Sequence, residues 1–177
     1  MSLRTLRRRL VGRIFHLLRP HKHEENSKRG ARRAKRLGFK SIDWDLQITR
    51  DGVIVVCHDN QPLKHGFFDP LRPRRSREFK ISEHPWSVVR RLRARSGARL
   101  YRIQRVEPML RLAHQLDLVV VLEPKADRRF AQDWVWQYIA EVAEQYDTTV
   151  SVRALRELRG EAHVAAAKRA GFKAWLI

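Results

Sequence analysis

Cysteine is nearly missing from this chain. Cys57 is the single thiol in 177 residues, so no intramolecular disulfide framework exists and nothing points to an oxidising compartment. Cys57 ends an apolar run that starts at Val53, where an inert buried thiol is expected rather than a nucleophile. No apolar run approaches the roughly 20 residues that a membrane-spanning helix needs. Residues 1 to 18 lack the apolar centre and small-residue cleavage site of a secretory signal. Acidic residues are also scarce: 19 Asp and Glu face 38 Lys and Arg, for a formal net charge of +19. That imbalance favours polyanionic partners, whether phosphorylated small molecules, an anionic membrane surface or nucleic acid. No helix-turn-helix, zinc-ligand spacing or aromatic RNA-binding motif is visible, so a dedicated nucleic-acid reader is not expected.

What is present is the composition of a globular domain. The hydrophobic fraction is 43%, and the length suits one domain with a true core. We read a single domain over residues 1–177 with a basic N-terminal segment at 1–20. Within that segment Leu3, Leu6, Leu10, Ile14 and Leu17 fall on one helical stripe with arginines elsewhere. The spacing predicts a helix from Ser27 to Leu37, stopped at Gly38, a strand over 40–49 and a second over 53–57. Residues 59–85 read as a long loop. Short helices are expected near 85–92 and 107–115, strands at 118–122, 148–152 and 172–177, and helices at 129–146 and 153–170. Strands alternating with helices predict an α/β domain with a mainly parallel sheet.

Residues 41–59 carry the densest chemistry. Asp43 and Asp45 lie one residue apart on a strand and so share a face. Asp51-Gly52 is expected to supply the positive φ values of a tight two-residue hairpin turn, which brings His58 back toward the acid pair. Farther on, the apolar run Leu118–Leu122 ends in Glu123-Pro124-Lys125. In parallel α/β folds functional side chains gather at the carboxyl ends of strands. Two or three carboxylates with an imidazole at such an end suit a divalent metal and a proton-transfer group.

These residues fall in the order of a known set of motifs. Asp43-Trp44-Asp45 stands for Glu-x-Asp, Thr49-Arg50-Asp51-Gly52 for Thr-x-Asp-Gly, and Glu25-Asn26-Ser27 resembles Glu-Asn-Thr. His58-Asp59 and Glu123-Pro124-Lys125 complete the series. The pattern resembles the glycerophosphodiester phosphodiesterase family, a PLC-like branch of the TIM-barrel superfamily. The resemblance implies a (β/α) barrel that hydrolyses glycerophosphodiesters to an alcohol and glycerol 3-phosphate with Mg2+ or Ca2+. It implies Asp43, Asp45 and Glu123 as metal ligands, Lys125 as the phosphate-binding cation and His58 as a catalytic acid–base. The expected partner histidine of a His-Arg-Gly motif is best matched by His16, with His21 and His23 as substitutes, although neither Arg nor Gly adjoins His16.

Five or six strands can be counted, against eight in barrels of about 250 residues. The expectation is therefore a truncated or incomplete barrel, or one completed by oligomerisation. The implied substrate is a glycerophosphodiester or lysophospholipid-type molecule, met in the cytoplasm or at the periphery of a membrane. The alternative is a barrel remnant without catalysis that binds anionic lipid or nucleic acid through its basic charge.

Overall fold

The computed structural model describes residues 26–72, 78–96, 99–158 and 160–177. The expected histidines His16, His21 and His23, with the stripe at 3–17 and Glu25, lie outside the described residues. Within them the chain forms a six-stranded sheet in the order β6-β2-β1-β7-β8-β9. Its members are β1 (Ser41–Ile48), β2 (Ile54–Val56), β6 (Gln104–Arg105), β7 (Val119–Pro124), β8 (Val150–Ala154) and β9 (Lys173–Leu176). β1, β7, β8 and β9 run parallel, while β2 and β6 are antiparallel additions at one side. The expected α/β class with a mainly parallel sheet is what the chain adopts.

Four helices cover one face of this sheet: α1 (Lys28–Arg36), α3 (Val106–Gln115), α4 (Asp133–Gln145) and α5 (Gly160–Arg169), with the short α2 (Trp86–Val89) placed elsewhere. The even-numbered strand residues Ile42, Trp44, Leu46, Val120, Leu122 and Val152 meet Ala31, Met109, Trp136, Ile139 and Ala167 in one apolar cluster. Strand periodicity then fixes the other face. Because Ile42, Trp44 and Leu46 are buried in the helix layer, Asp43, Asp45 and Gln47 must point away from it. Ser27 caps α1, its hydroxyl accepting from the Gly30 N–H at 3.0 Å. Gly38 takes a positive φ of 82° just past the end of that helix.

Two local expectations need correction. In the β1–β2 turn only Gly52 adopts a positive φ, at 83°, and Asp51 does not. The Gly52 N–H donates to the Thr49 carbonyl at 3.0 Å and the Thr49 N–H to the Val53 carbonyl at 3.0 Å. This is a three-residue loop closed by a left-handed glycine rather than a two-residue one. Asp51 locks it, accepting from the Thr49 hydroxyl at 2.6 Å and the Trp86 N–H at 2.9 Å. Second, the helix expected from residue 153 does not begin there: Arg153 and Ala154 belong to a strand, and Arg156–Leu158 form one short 3-10 turn. β8 continues to Ala154 because Arg153 and Ala154 pair with Trp175 and Leu176 of β9, and α5 starts only at Gly160.

Residues 59–85 hold more structure than a loop. The short strand β3 (Phe67–Phe68) joins β4 (Arg93–Ser96) and β5 (Arg99–Arg102) in a separate antiparallel sheet, which the sequence reading did not contain. This insertion has its own small core, in which Phe79, Ile81, Val89, Leu92 and Ile103 pack on Val55 of β2 and on Cys57 just after it. It therefore roofs the β2 side of the sheet and leaves β1, β7 and β8 to form the polar centre.

Candidate active site

Register assembles the centre. Asp45 of β1 is level with Glu123 of β7, and Leu122 is level with Val152 of β8, which puts Arg153 beside Glu123. Side chains in register on parallel strands share a face, so Asp43 and Asp45 midway along β1 gather with Glu123 and Arg153 at the carboxyl ends of β7 and β8. Lys125 follows directly, its N–H donating to the Leu46 carbonyl at 3.2 Å in continuation of the ladder.

The five side chains form a chain of alternating charge. The Arg153 guanidinium donates through one nitrogen to Asp43 Oδ2 and, at 2.6 Å, to Glu123 Oε2. Lys125 Nζ donates to Glu123 Oε1 and lies 2.7 Å from Asp45 Oδ1. Asn26, one residue before the α1 cap, closes the far end. Its amide donates to Asp45 Oδ2 at 2.7 Å while its carbonyl oxygen accepts from the Asp45 N–H at 3.0 Å. Glu123 is the most enclosed of the set, with its side chain 6% exposed, against 16% for Asp45 and 28% for Asp43. A carboxylate so enclosed must be paired, and both its oxygens are. Burial favours the neutral form of the Lys125 amine, but the carboxylates of Asp45 and Glu123 outweigh this and hold its pKa above the ordinary lysine value.

His58 stands beside this centre. Gln47, on the same face of β1 as Asp43 and Asp45, donates to the His58 carbonyl at 3.0 Å and ties it to the strand. The imidazole itself is turned outward, 60% exposed, with Nδ1 3.0 Å from Asp59 Oδ1. A carboxylate at Nδ1 fixes the proton there and presents Nε2 as the reactive nitrogen. The same Asp59 oxygen lies 3.6 Å from His65 Nε2. Cys57 is confirmed as buried, and burial pushes its thiol up to about 12.

Of the residues expected from sequence, Asp43, Asp45, Glu123 and Lys125 come together, and His58 lies at the adjoining strand end. Arg153 was not expected, and Asn26 was named only within the Glu25-Asn26-Ser27 motif, with no role in the site. Asn26 carried a signal in its place just before a helix cap; Arg153 carried none, since its segment has helical leucine spacing.

The carboxylates are of the kind that hard divalent cations prefer. Among the described residues, however, no group of three or more His, Cys, Asp or Glu side chains is arranged to hold an ion. Lys125 and Arg153 stand between the carboxylates instead. The set thus fits a divalent cation in donor chemistry, with Arg153 occupying oxygens that such an ion would use.

A parallel α/β sheet with charged side chains converging at its strand ends defines a barrel-type domain with its centre at the carboxyl face. The chain belongs to the glycerophosphoryl diester phosphodiesterase family, whose model matches residues 19–172. Solved structures agree on the fold. A glycerophosphodiester phosphodiesterase from Parabacteroides distasonis superposes with a TM-score of 0.62 at 16% identity, over 85% of this chain and 56% of that one. An Oleispira antarctica phosphodiesterase, solved with the product sn-glycerol-3-phosphate, gives 0.66 at 18% identity over 85% and 58%. A candidate family member from Silicibacter pomeroyi gives 0.70 at 16% identity over 85% and 59%. The chain thus spans less than two thirds of these structures' length. A search of curated proteins gave no match. Among the described residues, no helix is long and apolar enough to cross a membrane.

Proposed function

We propose that this chain carries the hydrolytic centre for glycerophosphodiesters, releasing an alcohol and glycerol 3-phosphate. The carrying observation is the alternating chain Asp43–Arg153–Glu123–Lys125–Asp45 on one face of the sheet, with His58 and its Asp59 partner at its side. Lys125 offers its ammonium to a phosphate oxygen while Asp45 and Glu123 hold it in place. His58 Nε2 takes a proton from the attacking hydroxyl or returns one to the departing alkoxide, and Asp59 stabilises the charged ring. Its exposure suits this role, because the nitrogen must reach a substrate arriving from solvent.

Mg2+ or Ca2+ would be held by Asp43, Asp45 and Glu123, and when bound would supply charge stabilisation for the phosphoryl oxygens. Arg153 must then release Asp43 and Glu123, which frees its guanidinium for the same phosphate. Substrates are glycerophosphodiesters or lysophospholipid-type diesters, met at a membrane surface or free.

The test is release of glycerol 3-phosphate from glycerophosphocholine and related diesters with Mg2+, Ca2+ or a chelator present. His58→Ala should lower kcat by about 10²–10⁴-fold, the usual worth of a positioned acid–base. No product from any diester under any of these conditions would refute the reading.

A further inference from the structure

The insertion contains a second charged feature, separated from the acid centre by β2. A cleft of about 680 Å³ is walled by Trp86 and by Arg90, Arg91, Arg93, Arg102 and Arg105. Arg93 and Arg102 reach it from β4 and β5, and Arg105 from β6, which pairs with β2 on the side away from β1. Arg93 and Arg102 are direct cross-strand partners. Like charges facing each other across an antiparallel pair destabilise it. Arg93 shows the strain: burial, and then the neighbouring Arg102, hold its guanidinium below the usual arginine range.

Little within the protein answers this charge. Arg91 lies 3.6 Å from buried Asp69 and Arg105 lies 3.6 Å from Glu107. Arg93 spends one nitrogen on the carbonyls of Arg90, Arg91 and Leu92. Among the described residues no acidic side chain pairs with Arg90, Arg93 or Arg102, and the buried Arg91 Nε has no acceptor. Arg90 and Arg102 therefore have no acidic partner among the described residues, and Arg93 has only the field of Asp69, which Arg91 already engages. Two phosphoryl groups carry about three to four negative charges at neutral pH. Guanidinium forks bind phosphate bidentately, and the Trp86 ring adds a flat wall against which the organic part of a ligand can lie.

We propose that this cleft is a binding site for a small molecule or headgroup bearing two phosphoryl groups, distinct from the hydrolytic centre. The site stands whether or not the chain hydrolyses glycerophosphodiesters. Its charge excess also gives a specific location to part of the +19 balance.

Inorganic pyrophosphate is the probe, titrated calorimetrically into the full chain beside sulfate at matched ionic strength. Pyrophosphate should bind at least about tenfold more tightly than sulfate, the effect of one further charge-assisted contact. Arg102→Gln should weaken it by a similar factor, while raising the melting temperature of the unliganded protein by relieving the Arg93 pair. Arg90→Gln, at an exposed position, serves as a second variant if Arg102→Gln does not fold. Arg156→Gln, an exposed residue elsewhere in the chain, should change nothing. Phosphatidylcholine vesicles with a bisphosphorylated inositol headgroup form the other arm. Competition between vesicles and pyrophosphate would identify a lipid source, and pyrophosphate binding without vesicle binding a free metabolite. Binding no tighter than sulfate, or lost equally in Arg102→Gln and Arg156→Gln, would overturn the proposal.

Discussion

Replacing Arg153 with methionine removes the link that holds two carboxylates of the centre together while keeping most of the side-chain volume. Arg153 is 22% exposed and bonds Asp43, 28% exposed, and Glu123, 6% exposed. Breaking a fully buried pair costs about 3–5 kcal/mol, because the remaining charge stays buried. Glu123 retains Lys125 and Asp43 is partly hydrated, so we expect a loss of about 2–3 kcal/mol, below that range. For a chain of this size that lowers the melting temperature by about 4–12 °C. The same change frees oxygens for an ion. Affinity for Mn2+, Mg2+ or Ca2+ should rise about tenfold or more, and each tenfold adds about 1.4 kcal/mol of stabilisation at saturating metal. Thermal unfolding of wild type and variant, with a chelator and with millimolar metal, reads both effects. The variant should melt lower in chelator and gain more from metal than wild type does. A variant as stable as wild type, or stabilised no more by metal, would refute the view that Arg153 competes with a cation for Asp43 and Glu123. Because the readout is unfolding, the result does not depend on turnover.

Lys125 has a pKa held above the ordinary lysine value, so its contribution is complete below about pH 10 and is lost as pH climbs through the raised folded value. Urea midpoints from neutral to strongly alkaline pH should show this decline in wild type, and Lys125→Met should be weaker at neutral pH with a flatter alkaline limb. Cys57, with its pKa at about 12 and its side chain buried, should react with a thiol reagent near pH 8 only after unfolding; rapid labelling of the native protein would contradict its placement. Gly160→Ala would set a Cβ 2.5 Å from the Leu155 carbonyl oxygen and 2.8 Å from Leu176, so a loss of about 2–3 kcal/mol is expected from denaturant unfolding.

Asp43, Asp45, Glu123 and Lys125 were legible in the sequence because their spacing is that of strands, and strand alternation needs only local chain geometry. Arg153 was not, because its role depends on a strand that survives to Ala154 through pairing with β9. Taken locally, Leu155 and Leu158 suit a helix, and only the partner strand decides against it. The β4–β5 hairpin was hidden for a related reason. Its arginines supply no β-branched or alternating apolar pattern, and it is held by Ala94 and Tyr101 packed inward. The Asp51-Gly52 turn was visible as a turn, yet its type followed from Asp51 binding the distant Trp86 N–H, a contact no local reading contains.

The alternating chain on this face of the sheet has a sign. Three carboxylates and two cations sum to a formal charge of −1, and a phosphodiester also carries −1. Left so, the centre repels the molecule proposed for it at close range. Adding a divalent cation turns the sum to +1. If Asp43, Asp45 and Glu123 held such an ion, electrostatics would favour the ion binding before the diester. A centre of this kind would work as a charge gate, with the free diester binding more weakly at low metal than at high metal.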